Sequence, residues 1–163
     1  VIDDAGPGVG ATVRRGLSVD EMDTEALVDL DDARAVAREQ AHAVLATSRR
    51  DGRPQMSPVA VAVDEAGRLL VSTREPAMKT HNVRRDPRVS LCVLPDAFFG
   101  RWIQVEGRAE IVTLPEAMDL LVDYYRRVSG EHPDWDDYRR AMNEERRVIL
   151  RIELDRAGPD RSG

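Results

Sequence analysis

Among the 24 Lys and Arg residues of this 163-residue chain, Lys79 is the only lysine. It stands in Ser72-Thr73-Arg74-Glu75-Pro76-Ala77-Met78-Lys79-Thr80-His81-Asn82-Val83-Arg84-Arg85-Asp86-Pro87-Arg88. A strand-like run, Leu69 to Thr73, ends there. Pro76 suits the first turn of a helix, because its missing N–H would have no partner at that position. Asp86-Pro87 stops the helix, since the residue before a proline is pushed out of the helical region. Lys79 therefore falls about one turn into a helix that follows a strand, where free N–H groups and the helix dipole favour an anion. In a chain that otherwise uses arginine, this ammonium reads as part of a phosphate-binding strand–loop–helix. The plainer reading is a solvated helix with a basic face; the order of the surrounding elements weighs against it.

Those elements are mostly strands. Ala43 to Ser48 reads as the first, and Asp51-Gly52 as a hairpin turn whose positive φ values Asp and Gly tolerate best. Gln55 to Val63 returns as one strand, with Gln55, Ser57, Val59, Val61 and Val63 on one face and Met56, Pro58, Ala60 and Ala62 on the other. Pro58 demands an edge, a bulge or a ligand in place of a neighbouring strand. Arg68 to Thr73, Arg88 to Leu94, Arg101 to Val112 and Val148 to Leu154 complete six strands, with Gly107 at a bend or bulge. Helical spacing marks Ser18 to Gln40. Thr113 and Glu116 predict a capping box for a third helix that ends at Gly130, and Asp134 predicts the cap of a fourth. Short turns between six strands, with few helices, predict a mainly β chain with peripheral helices folded as a small antiparallel barrel.

Length favours one domain. Residues 1–16, rich in Gly and Ala, read as a flexible arm, 17–156 as the domain and 157–163 as a C-terminal tail. With 42% hydrophobic and 33% charged residues the chain reads as globular. No apolar run approaches the ~20 residues that span a bilayer. No secretory signal is visible, although a start at Val1 rather than methionine suggests a trimmed chain. The single cysteine, Cys92, leaves no internal disulfide and suits a reducing cytoplasm. A net charge of -6 argues against nucleic-acid binding. The basic 79–88 segment within it suits a small anionic ligand.

The chain resembles the split-barrel flavin-binding superfamily of pyridoxamine-5'-phosphate oxidase, and most of all its coenzyme F420-dependent oxidoreductase branch. The resemblance runs from about His42 to about Leu154. It rests on Asp51-Gly52-Arg53-Pro54-Gln55-Met56-Ser57-Pro58-Val59, on Glu75 through Val89, on Val105-Glu106-Gly107-Arg108-Ala109, and on Tyr125 through Gly130-Glu131-His132 to Tyr138. It implies a six-stranded antiparallel split β-barrel and a homodimer with two cofactor sites at the subunit interface. It also implies that Lys79 binds the cofactor phosphate with Thr80 and Asn82 beside it. Gln55, Ser57 and Pro58 would run along the ring system, and Ser72 and Thr73 would lie near the phosphate or side chain. The implied cofactor is F420, with flavin mononucleotide (FMN) as the alternative. Where FMN-binding oxidases commonly carry an Arg-Lys pair this chain has Met78-Lys79, one phosphate-binding charge fewer.

The implied activity is hydride transfer to a small organic acceptor, chemistry that the cofactor supplies and the protein orients. No catalytic side chain is expected, and no triad is visible. The alternative of a different class is a carrier that holds a flavin, deazaflavin or haem without turnover. Cys92, inside a strand, reads as packing rather than as a nucleophile. His42, His81 and His132 are scattered without metal-site spacing, and His81 is more readily a surface residue than a ligand contact. Arg84, Arg85 and Arg88 face two readings, the acidic tail of F420 or an acidic neighbour. Trp102 is as readily core as cofactor flank, and Trp135 and Tyr138 are mainly packing.

Overall fold

The computed structural model describes residues 27–163. The arm at 1–16 and the first part of the Ser18–Gln40 helix lie outside the described residues. Seven strands form one antiparallel sheet, β1 (His42–Ser48), β2 (Pro54–Ala60), β3 (Ala62–Val63), β4 (Leu69–Arg74), β5 (Arg88–Leu94), β6 (Arg101–Val112) and β7 (Arg147–Ser162). Their order is β2-β1-β5-β6-β7-β4-β3. The two edge strands, β2 and β3, are separated in the chain by Val61 alone. A sheet whose opposite edges are joined through one residue has to curl back on itself, and this is the barrel.

The run from Gln55 to Val63, expected as one strand, is thus divided. Residues 54–60 pair with β1, whereas Ala62 and Val63 pair with Leu70 and Leu69. The hairpin turn also differs from expectation. Only Gly52 adopts positive φ, at 82°, and Asp51 does not, because the turn closes from Arg49 with Gly52 N–H donating to its carbonyl at 3.1 Å. The closing strand, expected to end at Leu154, runs on to Ser162. The segment 157–163, expected as a tail, contributes Ala157, Asp160, Arg161 and Ser162 to pairing with β6, beyond a register shift. Its polar sequence hid the strand, since there only Ala157 turns into the core.

Helices α1 (Leu30–Glu39), α2 (Met78–Arg85), α3 (Ala117–Ser129) and α4 (Trp135–Glu144) surround the sheet. Asp29 caps α1 by accepting from the N–H of Asp31 at 2.7 Å, and the helix buries Ala33, Val36 and Ala37. The capping box at Thr113 and Glu116 is not formed. Glu116 is itself the residue before α3 and makes no side-chain cap, while Thr113 contributes its carbonyl to Ala117 N–H at 2.8 Å. Gly130 ends α3 at φ 83°, and Asp134 caps α4 through the N–H groups of Asp136 and Asp137, as the sequence predicts.

Alternation sorts the side chains into two cores. Leu45, Leu69, Val71, Leu91, Val93, Ile103, Val105, Leu150 and Ile152 fill the barrel. On the outside of β3, β4 and β7, Ala62, Leu70 and Ile149 pack under Leu121, Val122 and Tyr138 of α3 and α4. Outside β2, β1, β5 and β6 the face stays open: Met56 is 65% exposed, Pro58 is exposed, and Val44, Cys92 and Trp102 are half-buried. Among the described residues no helix is long and apolar enough to cross a membrane.

Candidate functional site

The helix α2 begins at Met78, two residues after Pro76, because 75–77 forms a turn first. Ala77, in the cap position, has no polar side chain to accept from the free N–H groups. The Thr80 hydroxyl reaches back and donates to Arg74 O at 2.8 Å, tying the helix to the preceding strand end rather than capping those groups. The helix ends at Asp86, whose N–H donates to Asn82 O at 2.8 Å. The Asp86 carboxylate accepts from the Arg88 side chain and backbone N–H, and the side-chain bond chiefly holds its pKa down to about 2. Arg88 is therefore neutralised by an acidic neighbour, which settles one of the three open arginines.

Val83 of α2 enters the barrel core, and Asn82 follows it into the end of the barrel, 2% exposed. Its amide donates to Thr47 Oγ1 at 3.0 Å and to Gln55 Oε1 at 3.2 Å. The Gln55 amide in turn donates to Ser57 Oγ at 3.2 Å. Three of the expected site residues, Gln55, Ser57 and Asn82, thus lie in one chain of hydrogen bonds that locks α2 onto β1 and β2. Buried polar groups persist only when so paired.

Met78, His81, Asn82 and Arg85 recur at helical spacing and line one side of a groove of about 830 Å³, together with Arg84. Gln55 lines the other side with Arg49 and Arg50 from the β1–β2 turn. Lys79 is not among the lining side chains; it stands half-buried on the first turn, one turn before Asn82. Its ammonium makes no hydrogen bond or ion pair among the described residues, and Arg49, Arg50, Arg84 and Arg85 face no carboxylate within ion-pair distance. Most other arginines are paired, as Arg68 is with Asp64, Arg101 with Asp160 and Arg151 with Glu110, whereas Arg38, Arg108 and Arg156, scattered over the surface, are not paired among the described residues. In a chain of net charge -6, five uncompensated cations around one helix make a local positive field that recruits an anion. This donor set fits a ligand carrying a phosphate or several carboxylates.

The other expected residues fall elsewhere. Thr80 is fully enclosed and serves the turn before α2. Thr73 faces into the barrel at 4% exposure, while Ser72 points to the opposite face of β4, the side on which α3 packs. Pro58 does lie on an edge strand, but its ring is on the outer face, across the sheet from Ser57. Thr47, Arg49 and Arg50 belong to the site and were not expected. Thr47 announces itself only as a polar residue at an inward position of β1, after Ala43 and Leu45.

The sequence matches the family model described as pyridoxamine 5'-phosphate oxidase over residues 30–158. Among solved structures, a conserved hypothetical protein of Mycobacterium tuberculosis is 29% identical, with 80% of this chain and 82% of that one covered at a TM-score of 0.65. A protein named F420 reductase is 22% identical over 76% of this chain and 94% of its own, at 0.61. A haem storage protein of Vibrio cholerae shares the fold at 16% identity, covering 82% of this chain and 95% of its own, at 0.62. With the curled seven-stranded sheet and the groove at α2, the match over residues 30–158 places the chain in the pyridoxamine 5'-phosphate oxidase family.

Proposed function

We propose that the protein is a cytoplasmic coenzyme F420-dependent oxidoreductase, active as a homodimer with its groove at the subunit boundary, that reduces a small organic acceptor. The observation that carries this reading is the groove bordered by Arg49, Arg50, Arg84 and Arg85 beside the unpaired Lys79. A deazaflavin with a phosphate and an acidic tail supplies the anions that such a groove lacks, and one relative of the same fold bears the name F420 reductase. Met78 rather than a second cation next to Lys79 favours F420 over FMN. The open outer face of β2, β1, β5 and β6 supports the dimer.

Bound there, a deazaflavin would supply the hydride. The chain's part would be positional: Lys79 and the free N–H groups of α2 would hold the phosphate, Gln55 and Ser57 would edge the ring, and the arginines would hold the tail. Titration with F420 and FMN, followed by absorbance and fluorescence, tests the reading. F420 binds more tightly if it is right, and tight FMN binding without F420 binding makes the protein an FMN enzyme.

A second reading, a carrier without turnover, draws on His81. Its exposed imidazole in the groove offers a nitrogen to haem iron. Oxidation of reduced F420 over a panel of enones, quinones, nitro compounds and tetrapyrroles separates the two, since a carrier binds without acceptor-dependent loss of the reduced cofactor.

A further inference from the structure

The segment that delivers α2 to the groove is held from a second place in the fold. Glu75 N–H donates to Arg146 O at 2.9 Å, and the Arg146 guanidinium donates to the Glu75 carboxylate. One residue to either side, Arg74 and Arg147 face each other on the last rung of the β4–β7 ladder. Both reach the Glu145 carboxylate, at 3.4 and 2.7 Å. That carboxyl is held below its usual range, first by the hydrogen bond from Arg147. On its other side the same segment is tied to α2, because Arg74 O accepts from both Thr80 Oγ1 at 2.8 Å and Ala77 N–H at 3.1 Å.

Residues 74–77 therefore hang between the first turn of α2 and the turn that follows α4. None of them belongs to either apolar core. A cleft of about 360 Å³, lined by Leu114 and Val148 as well as Glu75, Thr113, Asn143 and Arg146, opens beside them, so the polar ties are what set the position. Arg146 adopts φ 52°, a left-handed conformation that costs a side-chain-bearing residue energy. Such a conformation persists where surrounding contacts enforce it.

We propose that Glu75–Arg146 and the shared Glu145 carboxylate form a positioning latch for the groove, fixing where the first turn of α2 presents Lys79, Met78 and His81. Arg146 and Glu75 are positioning residues, since neither lines the groove. The latch makes the groove sensitive to the end of α4, whose chain runs directly into residues 145–147. Its consequence for ligand affinity rests on the F420 reading; its consequence for α2 does not.

Hydrogen–deuterium exchange on the intact protein, with F420 titration beside it, tests the latch in Glu75→Gln, Arg146→Gly and Arg146→Lys. Glycine accepts the left-handed backbone, so Arg146→Gly removes the side chain without adding strain. Amides of residues 78–83 exchange faster in Glu75→Gln and Arg146→Gly, by roughly three- to tenfold, while amides of β5 and β6 keep their wild-type rates. F420 affinity falls by a similar factor, and Arg146→Lys recovers most of both effects. Unchanged exchange in α2, or exchange that rises equally throughout the barrel, overturns the latch. If wild-type protein binds no F420, the cofactor reading falls and the exchange pattern alone decides the latch.

Discussion

An ammonium that finds no carboxylate in a chain rich in acid is available to an anion, and in the proposed function Lys79 is that group. Lys79→Ala weakens F420 binding by about 1.5–3 kcal/mol, the scale of a charge-assisted hydrogen bond. It leaves the melting temperature nearly unchanged, because no intramolecular partner is lost. Calorimetric titration checks the first part and thermal unfolding the second; equal affinity in wild type and variant removes Lys79 from the site. Singularity of type made Lys79 legible in the sequence. Gln55, Ser57 and Asn82 were legible through the resemblance, although what joins them is a hydrogen-bond chain that includes Thr47. Ser72, Thr73 and Thr80 stand close to Lys79 in the chain yet apart from the groove, because alternation along β4 and the back-bond of Thr80 direct them elsewhere.

Two elements hold the groove, α2 and the β1–β2 hairpin, and the long strand β6 packs behind α2. Gly107 of β6 lies against the β7 backbone, beside a register shift. A Cβ there would collide with Glu153 O, so Gly107→Ala forces the backbones apart and costs roughly 1–3 kcal/mol. Denaturant unfolding measures the loss, and a wild-type midpoint would contradict the packing. At the end of α2, Asp86 is lowered from 3.8 to about 2 by Arg88. A carboxyl depressed in the folded state adds stability above its unfolded pKa and loses it as pH falls toward the folded value. Wild type and Asp86→Asn therefore differ most above about pH 4, and the gap closes toward pH 2; a gap that widens on acidification contradicts the assignment. Strand existence and the ends of α3 and α4 were readable from alternation, Gly130 and Asp134. The end of β7 was not, since an edge-on polar run has no alternation to read.

At the scale of the molecule, the two outer faces of the sheet have different fates. Helices α3 and α4 cover β3, β4 and β7, whereas Met56, Pro58, Val44, Cys92 and Trp102 remain open on β2, β1, β5 and β6. The proposed dimer buries this second face. Sedimentation then gives twice the chain mass of 18.2 kDa. Val44→Glu, which sets a charge in the middle of the face, yields monomers that keep their far-ultraviolet spectrum. A wild-type monomer at micromolar concentration contradicts the dimer.

The amino-acid sequence by itself determined where most strands lie and how their side chains alternate, the helix stops, and the lone lysine ahead of a run of arginines. Each is a local matter of period, turn chemistry or residue type. Only the tertiary structure decided that the Gln55–Val63 run divides at Val61 and so closes the barrel. It alone set Arg49 and Arg50 across the groove from Arg84 and Arg85, and joined Arg146 to Glu75 and Arg151 to Glu110. Charge compensation depends on which groups meet in space, and no spacing along the chain encodes that.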